Sequence, residues 1–498
     1  TSSRTAQRML MSLAARKGWK LLSYDISTAF LQGKEMEQVS TRTGEQRIAA
    51  CAPPADFFPL LANFPEMQDQ LPMPGKEHEY ALLLYKAVYG LGDAPRLWYL
   101  EVRRALESLG FVVSKFDETM MYLRKSNNTY GGTTGQLSCC LTVHVDDLGA
   151  TGEAATLSWL QGELESRYGA LTVQENQFLH VGYEYTQHAD GSCDSSLEHF
   201  TKTLEEEPLP SSDLTALLDQ KGKTALKSIN GCLSYGTGNR PDMAGRVAVS
   251  QQNGGADPTV RDLKYANTQL RAMRDYAGAH TLKYPRLDET RLSLTGVFDS
   301  SHKSVDSKYA QGAYIILLGE RTEAQSVGYN KCHVLEFSTK KSTRVAKSSF
   351  TAELLAGNRC AEVLYRIGQW PVEIEMGADS VRDLLDVRPH FPLQLVTDAM
   401  DVFTTVQCPK PYVGSDQSVT LYVEALKEDL RGRITELAWV PTRWMLADAM
   451  TKNMQDELLG KLMATGSWRP DEWELYSQED EYYCDVGARC NYYGCYCL

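Results

Sequence analysis

The stretch from Leu137 to Gly149 constrains the fold more than any other part of the chain. An apolar run, LSCCLTVHV, meets Asp146 and Asp147, and the apolar pattern resumes at Leu148. Such a run broken by two acids predicts a β-hairpin with both carboxylates at its tip. Because adjacent strand residues point to opposite faces of a sheet, we expect one of the two acids to be the principal metal ligand.

A third acid follows a second predicted strand. Asp25 ends the segment KLLSYD, which comes after a helix predicted from Ser2 to Gly18. Antiparallel pairing of the two strands would bring Asp25 beside Asp146 and Asp147. Clustered carboxylates can hold the two Mg²⁺ ions that nucleotidyl transfer requires, although Asp-Asp is also favourable in an ordinary turn.

A second set of acids lies in the C-terminal half of the chain. Asp299 ends the strand LTGVFD, Glu353 lies in a helix beginning SSFTAELLAG, Asp398 ends LQLVTD, and Asp448 lies in MLADAMTK. Several strands followed by mixed strands and helices predict an RNase H-like domain, but this order leaves other α/β folds open. Four carboxylates from separate elements can hold two metal ions, and their mutual repulsion predicts that divalent ions stabilise the fold.

Length and charge limit the remaining choices. A chain of 498 residues with 43% apolar content is too long for one core, so we expect two or three domains. The net charge of −13 argues against a nucleic-acid enzyme, but residues 471 to 485 contribute seven acids and no base to it. No apolar run is long enough to cross a bilayer, and eight scattered cysteines are typical of reduced thiols in an intracellular protein.

Five separated motifs carry a family resemblance. DISTAFLQG, LYKAVYGLGDAPRLWY, VHVDDLGATG, FLHVGYEY and NRPDMA occur in the order of the motifs of copia-type reverse transcriptases, and WVPTRWMLADAMTK resembles the RNase H of the same retrotransposon Pol polyproteins. The resemblance covers about residues 2 to 460. The chain does not begin with Met, which we expect of a fragment cut from a polyprotein or of a partial gene model. The resemblance implies a fragment that lacks the fingers segment and the integrase.

The resemblance implies a multidomain α+β and α/β chain. Its expected parts are a reverse transcriptase palm with an antiparallel sheet and helices (residues 1–193), a helical thumb or connection (194–290), an RNase H-like mixed sheet with helices (291–465), and a disordered acidic tail (466–498). The tail contains four cysteines whose spacing does not match zinc modules. Cytoplasmic virus-like particles, with possible nuclear entry of the element, are the expected location.

The resemblance also implies the site residues and partners. Asp25, Asp146 and Asp147 are the expected catalytic metal ligands of the palm, and Asp299, Glu353, Asp398 and Asp448 those of the RNase H domain, all binding Mg²⁺ or Mn²⁺. Phe30 resembles the aromatic gate against ribonucleotides, although it is equally a candidate core residue, and Asp93 and Arg96 lie in the expected substrate-binding motif. The partners would be an RNA template, an RNA–DNA hybrid and deoxynucleoside triphosphates, with no membrane.

Three departures from the family bear on polymerase activity. His144 replaces a Tyr, Gly92-Asp93 replaces a Lys-Gln pair, and the fingers segment is absent. A carboxylate at position 93 would repel a triphosphate, whereas a helix N-cap explains the residue without a catalytic role. The alternatives are therefore a degenerate or repurposed copy that binds nucleic acid or assembles with partners, and an RNase H alone.

Overall fold

The computed structural model describes residues 2–36, 48–54, 56–73, 75–126, 129–131, 135–275, 281–302, 310–323, 326–383, 387–412, 419–452 and 457–476. Within these ranges the chain is a mixed α and β structure with several sheets, as the multidomain prediction requires. None of the helices described there is long and apolar enough to span a bilayer.

The first part of the chain supplies an antiparallel sheet and the helices that cover it. Its elements are α1 (Arg4–Lys17), β1 (Lys20–Ile26), β2 (Ala50–Cys51), α2 (Phe57–Leu61), β3 (Leu82–Leu83), α3 (Ala94–Ser108), β4 (Val112–Val113), β5 (Met120–Ser126), β6 (Thr129–Tyr130), β7 (Gln136–His144), β8 (Asp147–Gly152), α4 (Ala154–Tyr168) and β9 (Leu171–Glu175). The strand order is β4-β5-β7-β8-β1-β9, with β6 beside β5. The predicted β7–β8 hairpin is confirmed, and β8 pairs with β1.

The N-terminal helix ends where the sequence predicts. The Oγ of Ser3 accepts a hydrogen bond from the Ala6 amide, and Gly18 ends α1 in the left-handed region at φ 65°. A hydroxyl cap at the start and glycine at the end each satisfy backbone groups that the helix leaves unpaired. In contrast, the strand predicted over residues 80–85 shortens to β3, which pairs only with β2.

A four-stranded antiparallel sheet and a helical layer follow. The elements are β10 (Gln177–His180), β11 (Tyr183–Gln187), β12 (Cys193–Ser196), α5 (Glu198–Thr201), α6 (Gln220–Gly236), α7 (Pro241–Asn253), α8 (Val260–Asp275) and β13 (Leu282–Tyr284), with the strand order β10-β11-β12-β13. The domain boundary expected between residues 193 and 194 falls inside β12. A three-residue strand such as β13 is too short for sequence periodicity to reveal it.

The third part is a mixed sheet flanked by helices. Its elements are β14 (Leu292–Ser301), β15 (Gln311–Glu320), β16 (Cys332–Lys341), α9 (Ser349–Met376), β17 (Leu393–Thr397), α10 (Met400–Gln407), α11 (Thr420–Gly432), β18 (Glu436–Trp439), α12 (Asp448–Thr451), α13 (Glu457–Thr465) and β19 (Glu474–Tyr476). The strand order is β16-β15-β14-β17-β18-β19. Strands β14, β17 and β18 run parallel, and the other pairings are antiparallel. This mixed sheet is the RNase H-like architecture that the sequence predicts.

The boundary expected at residue 465 is too early. Trp468 is 2% exposed and exchanges backbone hydrogen bonds with Tyr329, and β19 pairs with β18. The described part of the expected tail therefore belongs to the third sheet. The four tail cysteines (Cys484, Cys490, Cys495 and Cys497) lie outside the described residues, so their interpretation stays a prediction.

Helix α1 joins the first and third sheets. Nearly all of its residues are buried, and it packs against β7 and β8 on one side and β16 on the other. The Arg16 guanidinium forms ion pairs with Glu289 and Glu375 across this contact. The two sheets consequently share a continuous apolar core rather than a thin solvated boundary.

Candidate active sites

Parallel pairing brings the RNase H-like acids to one edge of the third sheet. Asp299 lies near the end of β14 and Asp398 follows β17 directly, and the two strands are parallel neighbours in which Val297 pairs with Val396. Asp448 begins α12, which packs against β14 and β15. Strand ends that lie side by side therefore carry two of the acids, and a helix start supplies the third.

These three carboxylates form a compact group. One oxygen from each of Asp299, Asp398 and Asp448 lies within 4.8 Å of the other two. Burial raises the pKa of Asp299 to about 7, and the charges of Asp398 and Asp448 add to that rise. Burial also raises the pKa of Asp398. The residues that the sequence analysis selected are thus brought together in space, with charges that oppose one another.

Glu353 reaches the same group from α9. Its Oε1 accepts a hydrogen bond of 3.1 Å from the Ser300 amide, next to Asp299. Its Oε2 is buried and has no hydrogen-bond partner among the described residues. Burial, with added repulsion from Asp299 and Asp398, raises the pKa of Glu353 to about 10. A buried carboxylate oxygen without a partner is costly unless a ligand satisfies it.

The donor set fits a divalent ion. Mg²⁺ prefers hard carboxylate oxygens, and Asp299, Asp398 and Asp448 offer them at mutual distances that one ion can span. The buried carboxylate of Glu353 lies beside this group, although it is not among the three side chains that meet the 4.8 Å distance. A bound cation would also relieve the repulsion that contributes to the raised pKa of Asp299 and Glu353.

The sequence analysis missed the residues that surround these acids. The Oγ1 of Thr451 donates to Asp299, the Oγ1 of Thr442 donates to Asp398 at 2.7 Å, and Lys452 forms an ion pair with Asp448. Burial opposes the charge of Lys452, but the contact with Asp448 outweighs it and raises its pKa. The four-residue spacing of an acid and a lysine in DAMTK was the available signal, whereas nothing local pointed to Thr442.

The palm acids are placed by the first sheet. Asp25 on β1 lies directly opposite Asp147 on β8, and Asp146 lies in the turn after Val145, which has φ 58°. Burial raises the pKa of Asp147 to about 6, with added repulsion from Asp146 and Asp25. Asp146 and Asp147 are therefore in different positions, and Asp147 is the cross-strand neighbour of Asp25.

The palm acids differ from the RNase H-like group in compactness. In the described part of the chain, Asp299, Asp398 and Asp448 are the only three potential metal ligands whose ligand atoms all lie within 4.8 Å of one another. Asp25, Asp146 and Asp147 do not meet that distance. His144, opposite Asp147, instead contacts the Oγ of Ser2 at 3.1 Å, which places the start of α1 beside this hairpin.

Comparisons with known proteins agree with the motifs. The chain is 24% identical over 466 residues to the retrovirus-related Pol polyproteins from transposons RE2 and RE1 of Arabidopsis thaliana, which covers 90% of the chain. It resembles retrotransposon Pol polyproteins. The predicted resemblance is confirmed, and a 165-residue match at 24% identity to the Pol polyprotein from transposon TNT 1-94 of Nicotiana tabacum agrees with it.

The Pol polyproteins are much longer than this chain. It spans 28% of the RE2 polyprotein and 27% of the RE1 polyprotein. No protein-family model matches. Among solved structures, a foamy viral protease-reverse transcriptase in complex with dsDNA overlaps 88% of the chain and 70% of its own length, at 11% identity and a TM-score of 0.44. That overlap is too loose to support an argument about function.

The remaining site residues predicted for the palm are Phe30, Asp93 and Arg96. Phe30 is 9% exposed and belongs to the apolar core of the first sheet. Its ring centre lies 4.7 Å from that of Tyr89. Arg96 is exposed in the first turn of α3. The gate role of Phe30 and the substrate-binding roles of Asp93 and Arg96 stay predictions.

Asp93 occupies the N-cap position of α3, as predicted, but its side chain makes no capping hydrogen bond to that helix. Its backbone is helical, with φ −97° and ψ −8°, whereas a capping side chain normally needs an extended backbone to fold back over the first turn.

Proposed function

We propose that the chain is the reverse transcriptase and RNase H part of a retrotransposon Pol polyprotein, and that its RNase H-like site cleaves the RNA strand of RNA–DNA hybrids. The observation that carries the proposal is the buried group of Asp299, Asp398 and Asp448 beside the unpartnered oxygen of Glu353. The similarity to Pol polyproteins over 90% of the chain supports it.

The four acids would hold two Mg²⁺ ions, which activate a water and stabilise the leaving oxygen in hydrolysis of this kind. Thr442 and Thr451 orient Asp398 and Asp299 through their hydroxyl groups. Lys452 offsets part of the negative charge around Asp448. Recognition of the hybrid would depend on its shape and its 2′-hydroxyl groups, because a copying enzyme must accept every sequence.

In the palm, Asp25, Asp146 and Asp147 would hold the metal ions that engage a deoxynucleoside triphosphate, with RNA as the template. Its looser acid arrangement and the carboxylate at position 93 favour a second candidate function, in which the chain is a hydrolase without efficient polymerisation. An electrostatically repelled triphosphate binds weakly even when the acids can bind metal.

The test uses a labelled RNA–DNA hybrid and Mg²⁺, with and without a primer and nucleotides. Asp299→Asn and Glu353→Gln should reduce hybrid cleavage by about a hundredfold or more, because each removes a metal-binding charge while it keeps the side-chain shape. Circular dichroism and thermal unfolding check that both variants fold. Cleavage without primer extension selects the hydrolase.

Asp379→Asn is the matched control. Asp379 is an exposed acid beyond the end of α9 that pairs with Arg382 and is not one of the grouped acids. We expect its variant to cleave at the unmodified rate. Unchanged cleavage in D299N and E353Q would remove the RNase H assignment, and a chain with neither activity would be a nucleic-acid-binding or assembly subunit.

A further inference from the structure

A cavity separate from both acid groups lies where three parts of the chain meet. It has a volume of about 260 Å³ and is lined by residues of α1, α6, α7 and β16. Arg4 and Arg8 come from α1, Gln251 from α7, and Glu336 and Phe337 from β16. Neither candidate activity uses any of these residues.

The cavity contains a buried guanidinium without an ion pair. Arg8 is 8% exposed, and its Nη2 donates to the Gly238 carbonyl at 2.6 Å while its Cζ lies 4.4 Å from the centre of the Phe337 ring. In the part of the chain that the structure describes, neither Arg4 nor Arg8 has a carboxylate within ion-pair distance. A carbonyl and a ring face only partly compensate a buried charge.

The cavity carries an excess of positive charge. Glu336 is the single carboxylate among the lining residues, and it already accepts from the hydroxyls of Thr5 and Tyr314. Two guanidinium groups therefore face one carboxylate. Burial lowers the pKa of the Arg8 guanidinium, and the positive charge of Arg4 also lowers it.

A glycine, Gly238, leaves space for the Arg4 side chain. A Cβ at Gly238 would collide with Nη1 of Arg4 and with the hydroxyl of Tyr183. Among the described residues, that tyrosine hydroxyl is buried without a hydrogen-bond partner, although it does not line the cavity. Ser234 and Ser338 add hydroxyl groups to the lining. The lining thus presents two guanidinium groups and several hydroxyls around one engaged carboxylate.

We propose that this cavity binds a small phosphate-bearing ligand, either inorganic phosphate or a small phosphate ester, with Arg4 and Arg8 as its anion-binding residues. Two guanidinium groups match the charge of a phosphate dianion and its several acceptor oxygens better than they match a carboxylate. The volume leaves space for an organic group next to the phosphate. Arg8 is buried between α1 and β16, which places it out of reach of a duplex backbone.

A bound ligand would contact α1, the helical layer and the third sheet together, and would therefore stabilise their packing. A ligand that binds only the folded chain raises the unfolding temperature as its concentration exceeds Kd. The first experiment is therefore thermal unfolding in sodium phosphate against sodium chloride of equal ionic strength. We expect phosphate to raise Tm by about 2 °C or more at saturation.

Variants separate the cavity from general salt effects. Arg4→Gln removes a partly exposed guanidinium, so the variant should fold, and its affinity for inorganic phosphate by calorimetry should fall by about tenfold or more. Arg271→Gln is the control, because Arg271 on α8 pairs with Glu206 outside the cavity. It should bind phosphate as the unmodified chain does.

Ribose 5-phosphate and an RNA–DNA hybrid complete the test. Tighter binding of ribose 5-phosphate than of phosphate would support a phosphate ester, and equal binding would support inorganic phosphate. The proposal is overturned if phosphate gives no shift beyond chloride, if R4Q and R271Q respond alike, or if the hybrid alone depends on Arg4. None of these readouts requires either proposed activity.

Discussion

Ser12 on α1 and His333 on β16 are joined by a hydrogen bond of 2.8 Å between Oγ and Nδ1, although 321 residues separate them in the chain. The other ring nitrogen of His333 contacts the Pro285 carbonyl at 2.7 Å. The imidazole is fully buried and lies at the contact between the first and third sheets. It therefore reports on the stability of that contact.

Acid should weaken this contact through His333. Burial lowers the pKa of His333 to about 3, well below its ordinary value of 6.5. The unfolded chain then binds the proton more tightly, so stability is complete above pH 6.5 and is lost as pH falls toward 3. The loss from one such group is about 1.4 kcal/mol per pH unit. Urea unfolding between pH 4 and 8 measures it.

His333→Gln should lower stability at neutral pH but make its dependence on acid shallower by about one proton. His390→Gln is the control, because His390 is exposed. Parallel stability curves for H333Q and the unmodified chain would show that His333 is not held neutral by the fold.

Lys452 should offset the repulsion among the RNase H-like acids. Its ammonium pairs with Asp448, and the lysine side chain is 43% exposed. Lys452→Met should therefore destabilise the chain in a chelator by only about 1 kcal/mol. Added Mg²⁺ should raise Tm more in K452M than in the unmodified chain, because more uncompensated charge remains for the ion to neutralise.

Lys461→Met provides the comparison for Lys452, since Lys461 is exposed on α13, outside the acid group. Thermal unfolding with a chelator and then with a Mg²⁺ series measures both variants. Equal Mg²⁺ responses in K452M and K461M would contradict a charge-balancing role.

Gly149 should be required beneath the palm acids. A Cβ at this position would lie 2.8 Å from Nε2 of His180 and 3.1 Å from Oγ1 of Thr142, both buried. Gly149→Ala should destabilise the chain by about 1 to 3 kcal/mol, because it overpacks the core below Asp147. Urea unfolding gives the change in free energy.

Gly162→Ala is the opposite case on α4. A Cβ there meets nothing within 4 Å, so alanine should stabilise the helix by up to about 1 kcal/mol. If G149A were as stable as G162A, the close packing of His180 against β8 would be wrong.

Trp468 should anchor the end of the third sheet. It is 2% exposed, and its indole Nε1 donates to the Trp444 carbonyl at 3.1 Å, in the turn that carries Thr442. Trp468→Ala should cost about 3 to 5 kcal/mol through lost burial and a new cavity. Denaturant titration measures the loss. Trp473→Ala is the control, because it removes a tryptophan that is 38% exposed and so shows the effect of losing a tryptophan that is not buried. Equal losses would place residue 468 in a tail.

Local sequence patterns predict much of the secondary structure and the acids of both candidate sites, because both depend on neighbouring residues. The run from Leu137 to Gly149 forms the β7–β8 hairpin because a nine-residue apolar strand and its turn are set by neighbouring residues. The boundary expected after residue 193 falls inside the four-residue strand β12, and the tail expected from residue 466 includes the three-residue strand β19. Such strands exist only through pairing with distant partners, which periodicity does not report.

The sequence by itself determined which acids belong to which set, the cap and end of α1, and the order of the longer strands and helices around the acids. The tertiary structure alone decided that Asp299, Asp398 and Asp448 form a group within 4.8 Å while the palm acids do not. It also decided that Lys452 and Thr442 contact that group. Finally, it decided that α1 is enclosed by two sheets, with Arg8 lacking an ion pair among the described residues. Helix ends and turns depend on interactions among a few adjacent residues. Distances between side chains depend on strand pairing and on the burial of whole faces, which involve residues hundreds of positions apart.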